Sequence, residues 1–170
     1  MKTVLIVEDD LINARVFSKI LTKRGGLGVK HTENVEEVIK IAQSGEADLI
    51  LMDVSLSRSV YQGKSVDGIK ITQMLKSDPK TANLPIILVT AHAMEGDREN
   101  FLKQSGADGY ISKPVVDHQL FVDQIIALLP TDDHWELTTY FRNTRPKTFL
   151  GEYSGILLVY MYYEKVRLSK

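Results

Sequence analysis

Short runs of apolar residues alternate with segments of helical spacing along the first 130 residues of the chain. The runs TVLIV (3–7), DLILM (48–52) and PIILVT (85–90) are continuous, which is typical of strands that are buried on both faces of a sheet. Two shorter candidates, VKHT (29–32) and GYIS (109–112), complete a set of five predicted strands. Alternation of this kind indicates a parallel sheet with helices on both faces.

A segment with apolar residues at helical spacing follows each predicted strand. The first helix is predicted from Ile12, Val16 and Ile20, with Phe17 and Leu21 also at helical spacing, and it ends at the glycines of 25–28. The other four helices are predicted around 35–42, 69–75, 94–105 and 120–129. Right-handed crossovers leave few topologies for such a chain. The predicted fold class is therefore α/β, a doubly wound five-stranded parallel sheet with strand order 2-1-3-4-5, as in flavodoxin and CheY.

Polar side chains follow the strands at the edge where ligands of doubly wound sheets bind. They are Glu8 and Asp9 after the first strand, Asp53 at the end of the third, Thr90 at the end of the fourth and Lys113 after the fifth. Burying an unpaired charge is costly. Asp53, which interrupts the apolar stretch ADLILMDVSLS, is therefore expected at a strand end, facing other charged groups.

The chemistry of these side chains predicts a phosphorylation site. Crowded carboxylates need a cation, and oxygen ligands without His or Cys suit Mg²⁺ or Mn²⁺. An aspartate can be the nucleophile that forms an aspartyl-phosphate. A lysine, a hydroxyl and the metal would then neutralise the oxygens of the transferred group.

Composition excludes several other classes of protein. The 170 residues carry a net charge of −1, 44% are hydrophobic, and none is cysteine. This charge gives no global attraction to nucleic acid, and the lack of cysteine excludes disulfides and Cys-ligated zinc. The N-terminus lacks the apolar region of a signal peptide. The longest nonpolar run, 155–163, is shorter than the roughly 20 residues of a membrane span. We expect a cytoplasmic protein.

Four motifs, VLIVEDD, DLILMDV, PIILVTA and GADGYISKP, give the chain a specific resemblance to a known family. In this order they resemble the receiver domain of two-component response regulators, and VTAHAMEGDRENFLKQSGADGYISKP looks most like the single-domain, DivK-like type. The resemblance covers residues 1–130, which are expected to form the receiver domain. Residues 131–170 are then a C-terminal extension.

The resemblance implies a role for each residue of the site. Asp53 would be the phosphoacceptor, with Asp9 binding Mg²⁺ directly and Glu8 binding it through water. The backbone carbonyl of Ser55 would be the third protein ligand. Thr90 would hydrogen-bond the phosphoryl group.

Lys113 would pair with the same phosphoryl group. In the family Tyr110 corresponds to a switch aromatic, and the Lys113–Pro114 bond is cis. The side chains of Ser55 and His92 would border the path of the hydrolytic water and could tune the lifetime of the phosphoryl group.

The resemblance also implies the partners. A sensor histidine kinase or a His-containing phosphotransfer protein would donate the phosphoryl group, and the chain would not be an enzyme acting on other substrates. Phosphorylation would switch a protein-interaction face made of the fourth helix, the fifth strand and the fifth helix, without an attached output domain and without direct binding of nucleic acid. Two alternatives stay open: a phosphorelay shuttle that passes the group to a second histidine, and an unphosphorylated pseudo-receiver that serves as an interaction module.

Two other functions, an electron carrier and a phosphatase, fit the residues less well. A flavodoxin-like electron carrier would need a hydroxyl- and glycine-rich phosphate loop where this chain has three acids. A haloacid-dehalogenase-type phosphatase would need a second Asp two residues after the first, where this chain has Ser55.

The chain departs from the family in two segments. Most receivers have a proline four residues after the phosphoacceptor, where this chain has Ser57, and the glycine that follows in the family matches Gly68 after about seven extra residues. The longer loop could shape partner choice or phosphoryl lifetime, or be a tolerated insertion. The tail from Thr131 holds eight aromatic residues, against five in the first 130. It could pack on the receiver, pair between chains, dock a partner or be a non-native end.

Overall fold

Five short parallel strands form the central sheet of the protein. The computed structural model describes residues 1–57, 59–91 and 96–130. The strands of the sheet are β1 (Thr3–Val7), β2 (Gly28–Thr32), β3 (Leu49–Asp53), β6 (Ile86–Thr90) and β7 (Gly109–Ser112). They pair in the order β2-β1-β3-β6-β7 and are all parallel. Counted without two small inserted strands, this is the predicted order 2-1-3-4-5, and the predicted fold class is confirmed.

Four helices connect the strands of the sheet and a fifth follows the last strand. They are α1 (Leu11–Gly25), α2 (Val35–Ser44), α3 (Gly68–Ser77), α4 (Asp97–Ser105) and α5 (His118–Ile126). An Asp or Asn side chain caps the N-terminus of α1, α2, α3 and α5. Asp10 caps α1 by accepting hydrogen bonds from the backbone N–H groups of Ile12 and Asn13, at 2.7 and 3.3 Å. Asp10 therefore acts as a helix cap.

Each face of the sheet packs against its own set of helices, because successive side chains of a strand point to opposite faces. On one face, Leu5, Ile50 and Leu88 pack with residues of α2 and α3. On the other face, Ile6 and Leu51 pack with residues of α1 and α5. The sheet is thus buried on both sides, which explains the continuous apolar runs of its strands.

Helix α1 buries only part of the apolar set from which it was predicted. Phe17, Ile20 and Leu21 are buried, whereas Ile12 is 73% exposed and Val16 44% exposed. The ring of Phe17 lies 5.4 Å from that of Phe121 on α5, between centroids. The apolar residues of this helix extend over more than one face, and the core covers only the part around Phe17, Ile20 and Leu21.

The long loop after β3 contains a β-hairpin that the sequence analysis did not predict. Strands β4 (Val60–Tyr61) and β5 (Lys64–Ser65) pair antiparallel. Between them Gln62 and Gly63 have φ angles of 50° and 75°, as a two-residue type I′ turn requires. Tyr61 is half-buried and packs against the core on the α2 side of the sheet. Part of the inserted segment is therefore regular secondary structure.

Residues Met1–Leu129 form one compact unit. Among the helices of the described residues, none has both the length and the apolar character that crossing a bilayer requires. The predicted extension, 131–170, lies outside the described residues.

Candidate functional site

The strand order brings two buried acids to one edge of the sheet. Asp53 is the last residue of β3, and Glu8 directly follows the neighbouring strand β1. Asp53 is 4% exposed and Glu8 is 2% exposed. The peptide of Glu8 is fixed from β2, where the Nε2–H of His31 donates to the carbonyl of Glu8 at 2.8 Å. Two carboxylates buried to this extent need a compensating charge nearby.

Lys113 provides a positive charge that reaches both acids. Its Nζ lies 2.6 Å from Oε2 of Glu8 and 3.1 Å from Oδ1 of Asp53. The lysine directly follows β7, and its backbone N–H donates to the carbonyl of Thr90 at 2.8 Å. The peptide bond from Lys113 to Pro114 is cis, as the resemblance implied. Lys113, at the end of the edge strand β7, therefore reaches past the end of β6 to the acids at the ends of β1 and β3.

Burial and neighbouring charges shift the pKa values of Glu8 and Lys113. Burial raises the pKa of Glu8 above its usual value, and the negative charge of Asp53 acts in the same direction, against the opposing effect of Lys113. Burial alone would lower the pKa of Lys113, but its hydrogen bond to Glu8 and the charges of Asp53 and Glu8 raise the pKa above its usual value. Lys113 is therefore a firmly held cation at neutral pH.

Asp9 completes a group of three acids. One carboxylate oxygen from each of Glu8, Asp9 and Asp53 lies within 4.8 Å of the others. Oδ2 of Asp9 also accepts hydrogen bonds from Ser57, at 3.0 Å from the backbone N–H and 2.6 Å from the hydroxyl. The three acids converge as predicted, on the side of the sheet edge from which the hairpin loop departs.

The donor set suits a small divalent cation. The three carboxylates and Lys113 together carry a charge of −2, and all three candidate ligands are hard oxygen atoms, which Mg²⁺ and Mn²⁺ prefer. Both oxygens of Glu8 already accept hydrogen bonds, one from Lys113 and one from the backbone N–H of Asp10 at 3.2 Å. These contacts fit binding of Glu8 through water better than direct ligation.

The remaining predicted residues differ in their burial and in the elements that carry them. Thr90 ends β6 and is fully buried. Ser55 is exposed, two residues after Asp53. Tyr110 lies half-buried in β7, and its ring stacks on that of Phe101 on α4, with centroids 6.4 Å apart and planes inclined by 19°. His92 lies outside the described residues, so its predicted role stays a prediction.

The sequence analysis missed the part that Ser57 plays at this site. It treated Ser57 only as a departure from the family's proline, although the side chain and the N–H both contact Asp9. The signal was available, because only a residue other than proline has an N–H to donate. The path of the loop that brings Ser57 beside Asp9, at the end of β1, could not be predicted from the sequence.

Comparison with known proteins identifies the family. The sequence profile of the response regulator receiver domain matches residues 4–125. The polar-differentiation response regulator DivK of Brucella anthropi is 38% identical over 114 residues, which are 67% of this chain and 85% of that protein. DivK of Brucella ovis is 37% identical over the same length.

Solved structures show the same fold. The receiver domain of a sensor histidine kinase from Pseudomonas aeruginosa, which has a magnesium ion coordinated in its active-site cleft, aligns with a TM-score of 0.58 at 30% identity, over 72% of this chain and 95% of that one. The chemotaxis protein CheY4 of Vibrio cholerae aligns with a TM-score of 0.61 at 21% identity, over 76% of this chain and 99% of that one. With its five-stranded sheet and its acids at the carboxyl edge, the chain belongs to the response regulator receiver family.

Proposed function

We propose that this receiver accepts a phosphoryl group on Asp53 from a phosphohistidine, in a reaction that depends on Mg²⁺ or Mn²⁺, and that the product binds its protein partners differently. The observation that carries the proposal is the convergence of Asp53 with Glu8, Asp9 and Lys113 at the carboxyl edge of the sheet. The magnesium ion in the cleft of the Pseudomonas aeruginosa receiver supports the choice of metal.

Each residue of the site has a role in the proposed in-line phosphoryl transfer. Lys113 holds Oδ1 of Asp53, so the carboxylate is fixed while one of its oxygens attacks phosphorus. An O–P bond forms, the N–P bond of the phosphohistidine breaks, and the imidazole nitrogen keeps the electron pair. A bound Mg²⁺ would supply positive charge to the phosphoryl oxygens. Asp9 would hold the metal directly, with the Ser55 carbonyl as a further ligand, and Glu8 would hold it through water.

Thr90 and Tyr110 are the proposed switch. Thr90 is buried at the end of β6, beside the strand end that carries Asp53, where its hydroxyl can turn toward an added phosphoryl group. Tyr110 lies on the adjoining strand β7 and contacts α4 through Phe101. A phosphoryl group on Asp53 would therefore act locally and be read out on the face formed by α4, β7 and α5.

Exposed apolar side chains support a protein as the phosphodonor. Leu11 and Ile12 are 59% and 73% exposed in the first turn of α1, two and three residues after Asp9. Large apolar side chains that water surrounds near a reactive site favour a docking partner. The kinase or phosphotransfer domain would cover them as it delivers its histidine.

Phosphorylation by acetyl phosphate tests the proposal without knowledge of the kinase. We expect the intact mass of the chain to rise by one phosphoryl group with Mg²⁺ present, and not after chelation of the metal. Asp53→Asn should abolish the gain, whereas Asp123→Asn, on the exposed part of α5, should leave it unchanged. An equal gain in wild type and Asp53→Asn would refute the assignment, and no gain in wild type would favour a pseudo-receiver.

A further inference from the structure

Ser57 donates two hydrogen bonds to a single oxygen of Asp9. Its backbone N–H lies 3.0 Å from Oδ2 and its hydroxyl 2.6 Å from the same atom. A carboxylate oxygen has two lone pairs in its plane, so this one residue supplies a donor for each. The shorter distance is typical of a hydroxyl that donates to an ionised carboxylate.

Two donors from one residue restrain how the carboxylate of Asp9 can rotate. The carboxylate is thereby held in one orientation within the group of three acids that it forms with Glu8 and Asp53. Groups that hydrogen-bond a metal ligand in this way orient it and set its affinity for the metal. We propose that Ser57 is a positioning residue for Asp9, which orients its carboxylate for Mg²⁺; the inference rests on the proposed function.

Two buried residues, Leu56 and Ser59, lie close to Ser57 in the sequence. Leu56, the preceding residue, is 5% exposed and belongs to the core on the α2 side of the sheet. Ser59 is also buried, and its carbonyl accepts the N–H of Val66 at 3.0 Å, which closes the base of the hairpin. The N–H of Ser57 therefore directly follows a residue that is held in the core. A proline at this position would offer Asp9 neither donor.

Titration of the full chain with MgCl₂ tests the inference, with amide NMR spectra to report both binding and the integrity of the fold. Ser57→Ala removes the hydroxyl and keeps the N–H, and we expect its Mg²⁺ dissociation constant to rise by about tenfold, the lower end of what loss of such a partner costs. Ser57→Thr keeps a hydroxyl and should restore most of the affinity. Ser65→Ala, at an exposed position of β5, is the matched control and should bind like wild type.

The outcomes separate this inference from the proposed function. Weaker binding by Ser57→Ala together with near-wild-type binding by Ser57→Thr would support the inference, because of the two variants only Ser57→Thr keeps a hydroxyl that can donate to Asp9. Binding by Ser57→Ala as tight as wild type, or tighter, would overturn it and leave the phosphoacceptor assignment intact. A wild-type chain that binds no Mg²⁺ would overturn both.

Discussion

Gly68, the first residue of α3, lies directly against the backbone of Asp53. A Cβ atom at position 68 would stand 1.9 Å from the carbonyl oxygen of Asp53 and 2.8 Å from its carbonyl carbon. The contact is reinforced by the N–H of Gly68, which donates to the carbonyl of Val54 at 3.2 Å. The glycine thus lets a helix begin where the phosphoacceptor strand ends.

We expect Gly68→Ala to destabilise the fold and to displace Asp53. The added atom meets backbone, which cannot move aside as a flexible side chain can, and such overpacking typically costs 1–3 kcal/mol. Urea unfolding should show the loss, and acetyl phosphate should phosphorylate the variant more slowly. Gly28→Ala is the control, because its Cβ would meet mainly the side chains of Thr3 and Met1. Wild-type stability and phosphorylation in Gly68→Ala would contradict the contact.

Lys113→Met should destabilise the protein in a way that depends on pH. Glu8 and Asp53 would lose a buried partner, and breaking a buried ion pair costs about 3–5 kcal/mol. The pKa of Glu8 is already raised in the folded protein and would rise further without Lys113. Because the folded state then binds this proton more tightly than the unfolded state, stability returns as the pH falls through the folded pKa toward the unfolded value.

Urea unfolding without Mg²⁺ at pH 7.5 and pH 5.5 would measure this effect. The difference between wild type and Lys113→Met should be smaller at the lower pH. Lys19→Met, on the exposed face of α1, should cost little at either pH. A loss of equal size at both values would show that Glu8 does not take up the proton.

On acidification, the affinity for Mg²⁺ should begin to fall at a higher pH than it would at a site whose carboxylates have ordinary pKa values. Burial and Asp53 raise the pKa of Glu8 above 4.5, and protonated Glu8 no longer attracts a cation. Calorimetric titrations from pH 7.5 downward should show the decline in wild type. Glu8→Gln should bind more weakly at pH 7.5 and lose this part of the pH dependence, whereas Glu36→Gln on α2 should follow wild type. Parallel curves for wild type and Glu8→Gln would contradict the prediction.

Asp9→Asn should remove most of the stabilisation by Mg²⁺ and leave the fold in place. A ligand at a hundred times its dissociation constant stabilises a protein by about 2.7 kcal/mol, which thermal melts detect. Without metal the variant should be at least as stable as wild type, because one of three crowded negative charges is gone. Asp123→Asn serves as the control. A full Mg²⁺-dependent rise in the melting temperature of Asp9→Asn would exclude Asp9 as a ligand.

Much of the fold could be predicted because its strands are buried on both faces. Continuous apolar runs such as 3–7 and 86–90 are typical of strands that helices cover on both faces. The convergence of Asp53, Glu8 and Lys113 followed from strand order alone, since parallel strands end at one edge. These features depend on the period of the pattern and on topology, both of which the sequence carries.

Other features depend on tertiary contacts that the pattern does not encode. Ile12 and Val16 fit a helical stripe as well as Phe17 and Leu21 do, and packing against the sheet and α5 decided between them. The hairpin turn at Gln62-Gly63 lacks the Asn-Gly or Asp-Gly pair that signals such turns. The hydrogen bonds from Ser57 to Asp9 span 48 positions of sequence and arise only once the loop has folded.

The loop between β3 and α3 is closed where it leaves the sheet. The N–H of Gly68 meets the carbonyl of Val54, so the chain departs and returns at nearly one point. Closing a longer loop costs little additional entropy, since the cost grows only with the logarithm of its length. The hairpin part of this segment can therefore change in length while Asp53 and α3 keep their places, as long as Ser57 still reaches Asp9.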